Sequence, residues 1–275
     1  MNIDFYTKKL TKKDGIWYAN KKSAISYPDD GNDLCFQIED NSFWFKHRNN
    51  CIIEVVKRFP PNGPFFDIGG GNGFVAKAIE RIGIETILVE PGEKGCINAR
   101  ERKISNIICA TLDDAGFERG SIPGIGVFDV VEHFENDMGL LNSINGYLQK
   151  DGLLYITVPA YNVLWSNEDD DAGHFNRYTI KSLSDRLNKA GFDVLYSTYI
   201  FSILPLPVFL LRTIPGKLGL NKDPYKASKN TKEHQSKGSV VNKIWAWELN
   251  RIRKNKAIPF GGSCLIVAKK LSQNA

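Results

Sequence analysis

Residues 65–80 read Phe-Phe-Asp-Ile-Gly-Gly-Gly-Asn-Gly-Phe-Val-Ala-Lys-Ala-Ile-Glu, and this stretch decides the architecture. Phe65–Ile68 is a short apolar run that follows the breakers Pro60, Pro61, Gly63 and Pro64. It reads as a buried strand. Gly69–Gly73 must then be a sharp bend, because glycine accepts backbone conformations other residues resist and lets the chain approach a ligand closely. Phe74–Ile82 continues as a helix. A strand, a glycine bend and a helix in that order present the unpaired N–H groups of the helix start beside the bend, where an electronegative ligand group is favoured.

The same alternation continues downstream. Strands are predicted at 86–90, 106–110, 125–131, 153–158 and 192–199. Helices are predicted at 94–103, 138–148 and 179–190, the last capped by Thr179 and ended by Gly191. Ser263–Lys269 is a seventh strand. Continuously apolar strands separated by helices imply an α/β fold with a mostly parallel sheet covered on both faces. Upstream, Phe43, Trp44, His47, Cys51, Ile52, Val55 and Phe59 recur at spacings of three and four, predicting a helix over 41–59. Residues 1–40 are polar, with turns at Asp14-Gly15 and Asp30-Gly31. The expected division is an N-terminal extension over 1–60 and a main domain over 61–275.

Between the sixth and seventh strands the main domain carries an insertion at about 200–260, longer than a simple connection. It holds an apolar run at 199–211, a polar stretch at 221–239 and a helix near 240–255. Val241, Ile244, Trp245, Leu249 and Ile252 form one stripe of that helix. Glu248 falls inside the stripe, either pairing with a base or pointing into a site.

Composition narrows the class. Hydrophobic residues make up 42% of the 275 and charged residues 24%, ordinary values for a folded chain. The net charge of +5 is spread out, with no long basic run, so no nucleic-acid partner is indicated. Cys35, Cys51, Cys96, Cys109 and Cys264 form no C-x-x-C pair, which argues against a disulfide framework or zinc motif and fits a cytoplasmic location. The start, MNIDFYTKKL, lacks the apolar core of a signal peptide. The run 199–211 is too short to span a bilayer and is interrupted by Pro205 and Pro207.

Glu90 ends the second strand, where a carboxylate can accept hydrogen bonds from both hydroxyls of a ribose. Asp113 follows the third strand and could accept from an adenine amino group. These features are shared by two classes. Gly71-Asn72-Gly73-Phe74-Val75-Ala76 also fits the G-x-G-x-x-A variant of NAD(P)-dependent oxidoreductases.

Further motifs resemble one family. Asp67-Ile68-Gly69-Gly70-Gly71-Asn72-Gly73 looks like the D-x-G-x-G-x-G loop of class I, Rossmann-like methyltransferases. Glu90-Pro91 resembles their ribose-binding acid, and Asp129-Val130-Val131-Glu132-His133 their fourth-strand motif. Residues 148–158 resemble the segment leading into strand five, with Lys150-Asp151 in place of Pro-Gly. Trp165-Ser166, Asp169, Gly173-His174 and Asn176-Arg177-Tyr178-Thr179 are similar to a W-S-x-x-D-x-x-x-G-H-x-R-R-Y-[ST] segment of one subgroup, from which Asn176 departs. Phe43-Trp44-Phe45 with Arg48-Asn49, Glu248, and residues 258–263 resemble that subgroup too.

The resemblance implies a doubly wound seven-stranded sheet with an antiparallel last strand. It implies methyl transfer from S-adenosylmethionine, with Asp67, Gly69, Gly71, Gly73, Glu90, Asp113 and Asp129 at the cofactor. A scaffold that binds this cofactor without catalysis would look the same. His133 and His174 are candidate bases or acceptor-binding groups, since histidine titrates near neutrality. The alternatives are packing for His133 and a structural hydrogen bond for His174. Arg177 could clamp an anionic acceptor or pair with the acidic run 169–171, and Tyr178 is expected to face the acceptor. Glu132, His133 and that acidic run supply metal donors, but acidic runs on loops are usually solvated and no metal is expected. The apolar insertion suits a small or lipid-linked acceptor and a peripheral membrane contact through 199–211.

Overall fold

The computed structural model describes residues 3–21, 23, 31–217 and 239–272. Strand β3 (Phe65–Ile68) lies in the middle of the sheet. On one side it pairs in parallel with β4 (Thr86–Val89), which pairs with β5 (Ile107–Cys109). On the other side it pairs in parallel with β6 (Ile122–Phe128), and β6 with β7 (Leu148–Pro159). The final strand, β9 (Ser263–Lys270), slots antiparallel between β7 and β8 (Phe192–Ile200), as expected.

Among the described residues the sheet has nine strands, not seven: the order is β1-β2-β5-β4-β3-β6-β7-β9-β8. The extra pair is a hairpin, β1 (Leu10–Lys13) and β2 (Ile16–Ala19), and β2 continues the parallel sheet beyond β5. Asp14 and Gly15, at φ of 50° and 82°, close it with the positive-φ geometry of tight hairpins. The turn was readable, but its strands were not. They are four residues each, and β1 is Leu-Thr-Lys-Lys with three exposed side chains, too polar to show a buried face. β6 begins three residues earlier than expected, because Pro123 and Gly124 lie within a fully buried strand. It ends at Phe128 because Asp129 turns the chain at φ 57°. Asp30 of the Asp30-Gly31 turn and most of the polar stretch 221–239 lie outside the described residues.

Period-two alternation in β3 assigns its two faces. Phe66 and Ile68 join one core cluster with Ile125, Val127 and Ile156, while Phe65 joins the other with Cys51, Val55 and Ile79. The second cluster holds α2 (Phe43–Arg58), α3 (Phe74–Arg81) and the insertion helix Ser239–Arg253 against the sheet. Glu248 is fully buried there. Its carboxylate pairs with Nε2 of His47 at 2.8 Å and accepts from the backbone N–H groups of Phe201 and Ser202 at 3.0 and 2.7 Å. This resolves the odd acid in the apolar stripe: it pairs with a base and fastens the insertion to α2. Among the described residues no helix is long and apolar enough to cross a membrane.

Parallel strands leaving a central β3 in opposite directions create a crevice beyond the carboxyl ends of β3 and β6, where ligands of open α/β sheets bind. The loops after β3, β4, β5, β6 and β7 all open onto it.

Candidate active site

At the crevice, the bend after β3 is held in shape by two acids. Asp67, buried within the strand, accepts from the N–H of Ala76 in the first turn of α3 at 3.1 Å. Burial, opposed by Arg48, raises its pKa to about 7. Glu90 reaches the bend from β4. One oxygen accepts from Gly71 N–H at 2.9 Å, the other from Gly92 N–H at 2.7 Å. Burial raises its pKa, against the pull of these backbone donors and of the Asn32 side chain. The bend and the acid therefore form one wall. Gly71, at φ 53°, presents its bare Cα side to the cavity, with only Asn32 Oδ1 at 3.4 Å from where a Cβ would stand.

Asp67, Gly69, Gly71, Glu90, Asp113 and Asp129 all line one cavity of about 1280 Å³. Gly73 does not. It caps α3 at φ 74°, and a Cβ there would press on Ile104 and Ala99, so it permits helix packing rather than ligand contact. Asp113 is held by Ser143 Oγ at 2.6 Å and the Tyr147 hydroxyl at 3.0 Å. Asp129 accepts from Thr157 Oγ1 at 3.1 Å and pairs with the Arg48 guanidinium.

The far wall carries the histidines. A short turn at Val131–His133 follows β6 and places Glu132 and His133 at the crevice. His174 approaches from the loop after β7, its ring 4.8 Å from that of His133 in an edge-to-face contact. Asp169 organises this loop. Its Oδ1 takes Nδ1 of His174 at 2.9 Å and Nε of Arg177 at 2.7 Å, and Oδ2 takes the Ser166 N–H at 2.8 Å. Burial pushes this acid upward, but the hydrogen bonds from His174 and Arg177 prevail and keep its pKa below the usual value. Arg177 also donates to the Ala160 carbonyl at 3.0 Å. Of the acidic run, Asp169 is thus a loop anchor, and Asp170 accepts from Trp165 Nε1.

Burial, then repulsion from Asp129, drives the pKa of Glu132 well above normal, and among the described residues neither of its carboxyl oxygens has a hydrogen-bond partner outside Glu132 itself. Burial and the neighbouring His174 lower the His133 pKa to about 4. Burial thus disfavours the charged form of both adjacent residues, and His133 is a neutral imidazole at neutral pH.

Tyr178 departs from expectation. It is 2% exposed, donates to Asp137 Oδ2 at 2.9 Å and does not line the cavity. It packs in the core beneath the acceptor side. Conversely, Asn32, Trp44 and Arg48 line the cavity. The guanidinium of Arg48 sits 4.9 Å over the Trp44 ring and is the counter-charge of Asp129. The Phe43-Trp44-Phe45 and Arg48-Asn49 pairing marked this helix in the sequence without showing where its side chains lead. Nothing in the sequence marked Asn32.

Residues 44–197 match the family described as a methyltransferase domain. No curated protein matches the chain by sequence. Among solved structures, Haemonchus contortus phosphoethanolamine N-methyltransferase 2 bound to S-adenosyl-L-methionine is similar at 17% identity and a TM-score of 0.56. The match covers 89% of this chain and 58% of that one, so this chain spans little more than half of the relative's length. A Thermotoga maritima methyltransferase, described as a possible histamine N-methyltransferase, is similar at 17% identity and a TM-score of 0.52, covering 86% of this chain and 98% of that one. Streptomyces coelicolor geranyl diphosphate C-methyltransferase is similar at 15% identity and a TM-score of 0.50, covering 80% and 75%. These likenesses establish the fold, and with the family match over more than half of its length the chain belongs to the methyltransferase-domain family.

Proposed function

We propose that this protein transfers a methyl group from S-adenosylmethionine to a nucleophilic atom of a small or lipid-linked acceptor. The observation that carries this reading is the single cavity with two unlike walls. One wall joins the glycine bend to Glu90, and the other presents His133 and His174. On the first wall, the Glu90 carboxylate, already accepting from Gly71, Gly92 and Asn32, keeps a lone pair for a ribose hydroxyl, Asp113 is suited to accept from an adenine amino group, and Gly71 leaves room for the amino-acid end. A volume of about 1280 Å³ exceeds what one small ligand needs, and suits donor and acceptor together.

The donor is consumed as a substrate. A bond forms between the acceptor atom and the methyl carbon, and the carbon–sulfur bond breaks with its electron pair returning to sulfur. Alignment supplies much of the rate. Where the attacking atom carries a proton, that proton must pass to a base or to solvent, and His133 and His174 serve as binding groups for the acceptor. Arg177, tied to Asp169 and Ala160, shapes the acceptor wall.

The acceptor class is supported by the insertion. Phe201, Leu204, Pro207, Val208 and Leu211 line the cavity, while Leu206, Leu210 and Leu211 are 65%, 50% and 70% exposed. The same segment is therefore both cavity wall and apolar rim, an arrangement suited to drawing an apolar tail from a membrane surface.

Calorimetry with S-adenosylmethionine and S-adenosylhomocysteine tests the donor, with micromolar binding expected for both and none for NADH. Binding of NADH alone would overturn the reading in favour of an oxidoreductase. Release of S-adenosylhomocysteine with polyprenyl-linked or water-soluble acceptors, and cosedimentation with anionic vesicles, test the acceptor. Turnover only with water-soluble acceptors and no vesicle binding would refute the lipid-linked class.

A further inference from the structure

Glu132, His133 and His174 each offer a ligand atom, and these atoms lie within 4.8 Å of one another. We propose that the three residues bind one divalent first-row metal ion, of the zinc or manganese kind, whose remaining positions face the cavity and hold an oxygen or nitrogen donor of the acceptor. The sequence offered Glu132, His133 and the acidic run 169–171 as donors, with no metal expected because acidic runs on loops are usually solvated; the cluster proposed here takes its acid from the turn after β6 and not from that run.

Glu132 is 1% exposed, it lines the cavity, and among the described residues neither carboxyl oxygen has a hydrogen-bond partner outside Glu132 itself. An unpaired polar group is costly to bury, and a buried carboxylate is ordinarily paired or bound to a metal. The two imidazoles provide the other donors. Nδ1 of His174 is engaged by Asp169, which leaves Nε2 to ligate. A carboxylate behind a ligating histidine is the usual second layer of a metal site, fixing tautomer and ring orientation. Asp169 is itself held by Arg177 and Ser166, so the ring is anchored through two layers. Backbone groups of Ala172 and Gly173 hydrogen-bond the His133 ring and hold it against the same loop. The Phe175 N–H donates to the Glu132 carbonyl at 2.7 Å, which joins the His174 loop to the turn bearing the other two residues. The donor set is preorganised.

Two imidazoles and one carboxylate suit zinc, manganese, cobalt or iron better than magnesium or calcium, which prefer oxygen. Three protein ligands with positions left open are the pattern of metal sites that also bind a reactant. The placing of the acceptor on the metal rests on the methyl-transfer reading, but the metal site itself does not.

The test uses full-length protein freed of metal with a chelator and titrated with Co2+, without methyl donor. One Co2+ per chain is expected, with visible ligand-field bands and a matching calorimetric isotherm. Glu132→Gln and His174→Ala should each weaken Co2+ by about tenfold or more and alter the bands, and Asp169→Asn should weaken it with the bands kept. Should His174→Ala fail to fold by circular dichroism, His174→Gln takes its place. Absence of Co2+ binding in the wild type, or unchanged affinity in folded ligand variants, overturns the proposal. S-adenosylhomocysteine binding measured on the same samples separates the two readings. Nucleoside binding without Co2+ rejects only the metal, and Co2+ binding without nucleoside rejects only the donor.

Discussion

Replacing Glu90 by Gln changes almost no volume and tests the wall on which the donor depends. In the wild type its two oxygens accept from Gly71 N–H at 2.9 Å and Gly92 N–H at 2.7 Å, at a site only 6% exposed. Glutamine keeps one acceptor oxygen and turns the other into an NH2 group, which must face one of those two N–H donors. One charge-assisted bond is lost, the survivor becomes neutral, and two donors confront each other. Hydrogen bonds to charged groups contribute about 1.5–3 kcal/mol each, so folding should weaken by about 2–4 kcal/mol. In a domain of this size that is a fall in Tm of about 5–12 °C. The nucleoside is affected separately. A ribose hydroxyl would donate to the carboxylate, and loss of that charge-assisted bond costs about 1.5–3 kcal/mol, or roughly ten- to a hundredfold in Kd. Thermal melts and S-adenosylhomocysteine calorimetry on E90Q measure the two effects independently. A lowered Tm with nucleoside affinity within about threefold of wild type would show that Glu90 only braces the bend, and the ribose assignment would be refuted.

Two further outcomes follow from the buried polar groups. Burial holds the Asp67 pKa at about 7, whereas in the unfolded chain it titrates near 3.8. Between those values the unfolded chain has released a proton that the folded chain retains, so stability falls as pH rises through the window and levels off above it. From pH 5 to 8 the wild type should lose about 2–3 kcal/mol relative to Asp67→Asn, read from urea midpoints, and parallel curves would contradict the burial argument. Tyr178→Phe removes the hydroxyl donated to Asp137, which keeps Arg186 at 3.2 Å. The expected result is about 1–3 kcal/mol lower stability with unchanged kcat and KM; a raised KM would return Tyr178 to the acceptor wall.

Local patterns were the readable part of this molecule. Glycine spacing around residues 69–73, apolar runs of strand length and the Thr179 cap depend on neighbours a few residues away, so the central strands, their helices and the antiparallel last strand could be anticipated. Thr179 accepts from the Ser182 N–H at 3.0 Å, as its position before the helix predicts. Weakly patterned pieces were not readable. The hairpin β1–β2 is stabilised by pairing with β5, about 90 residues downstream. Pro123 and Gly124 read as breakers, yet they are carried inside β6 by strands on both sides.

By itself the sequence determined that a glycine bend follows a buried strand, that an acid ends the next strand, and that histidines follow the fourth and fifth. Only the tertiary structure decided which of these meet. It gave the Glu90 carboxylate to the Gly71 amide, set His174 against His133 with Asp169 behind it, and buried Glu132 beside them at the cavity. It turned Tyr178 and Gly73 away from the cavity, and brought Arg48 from a helix 81 residues upstream to Asp129. The physical reason is that periodicity reports which face of an element is buried, whereas a site is made where the ends of several elements converge, and that convergence depends on strand order and long-range packing.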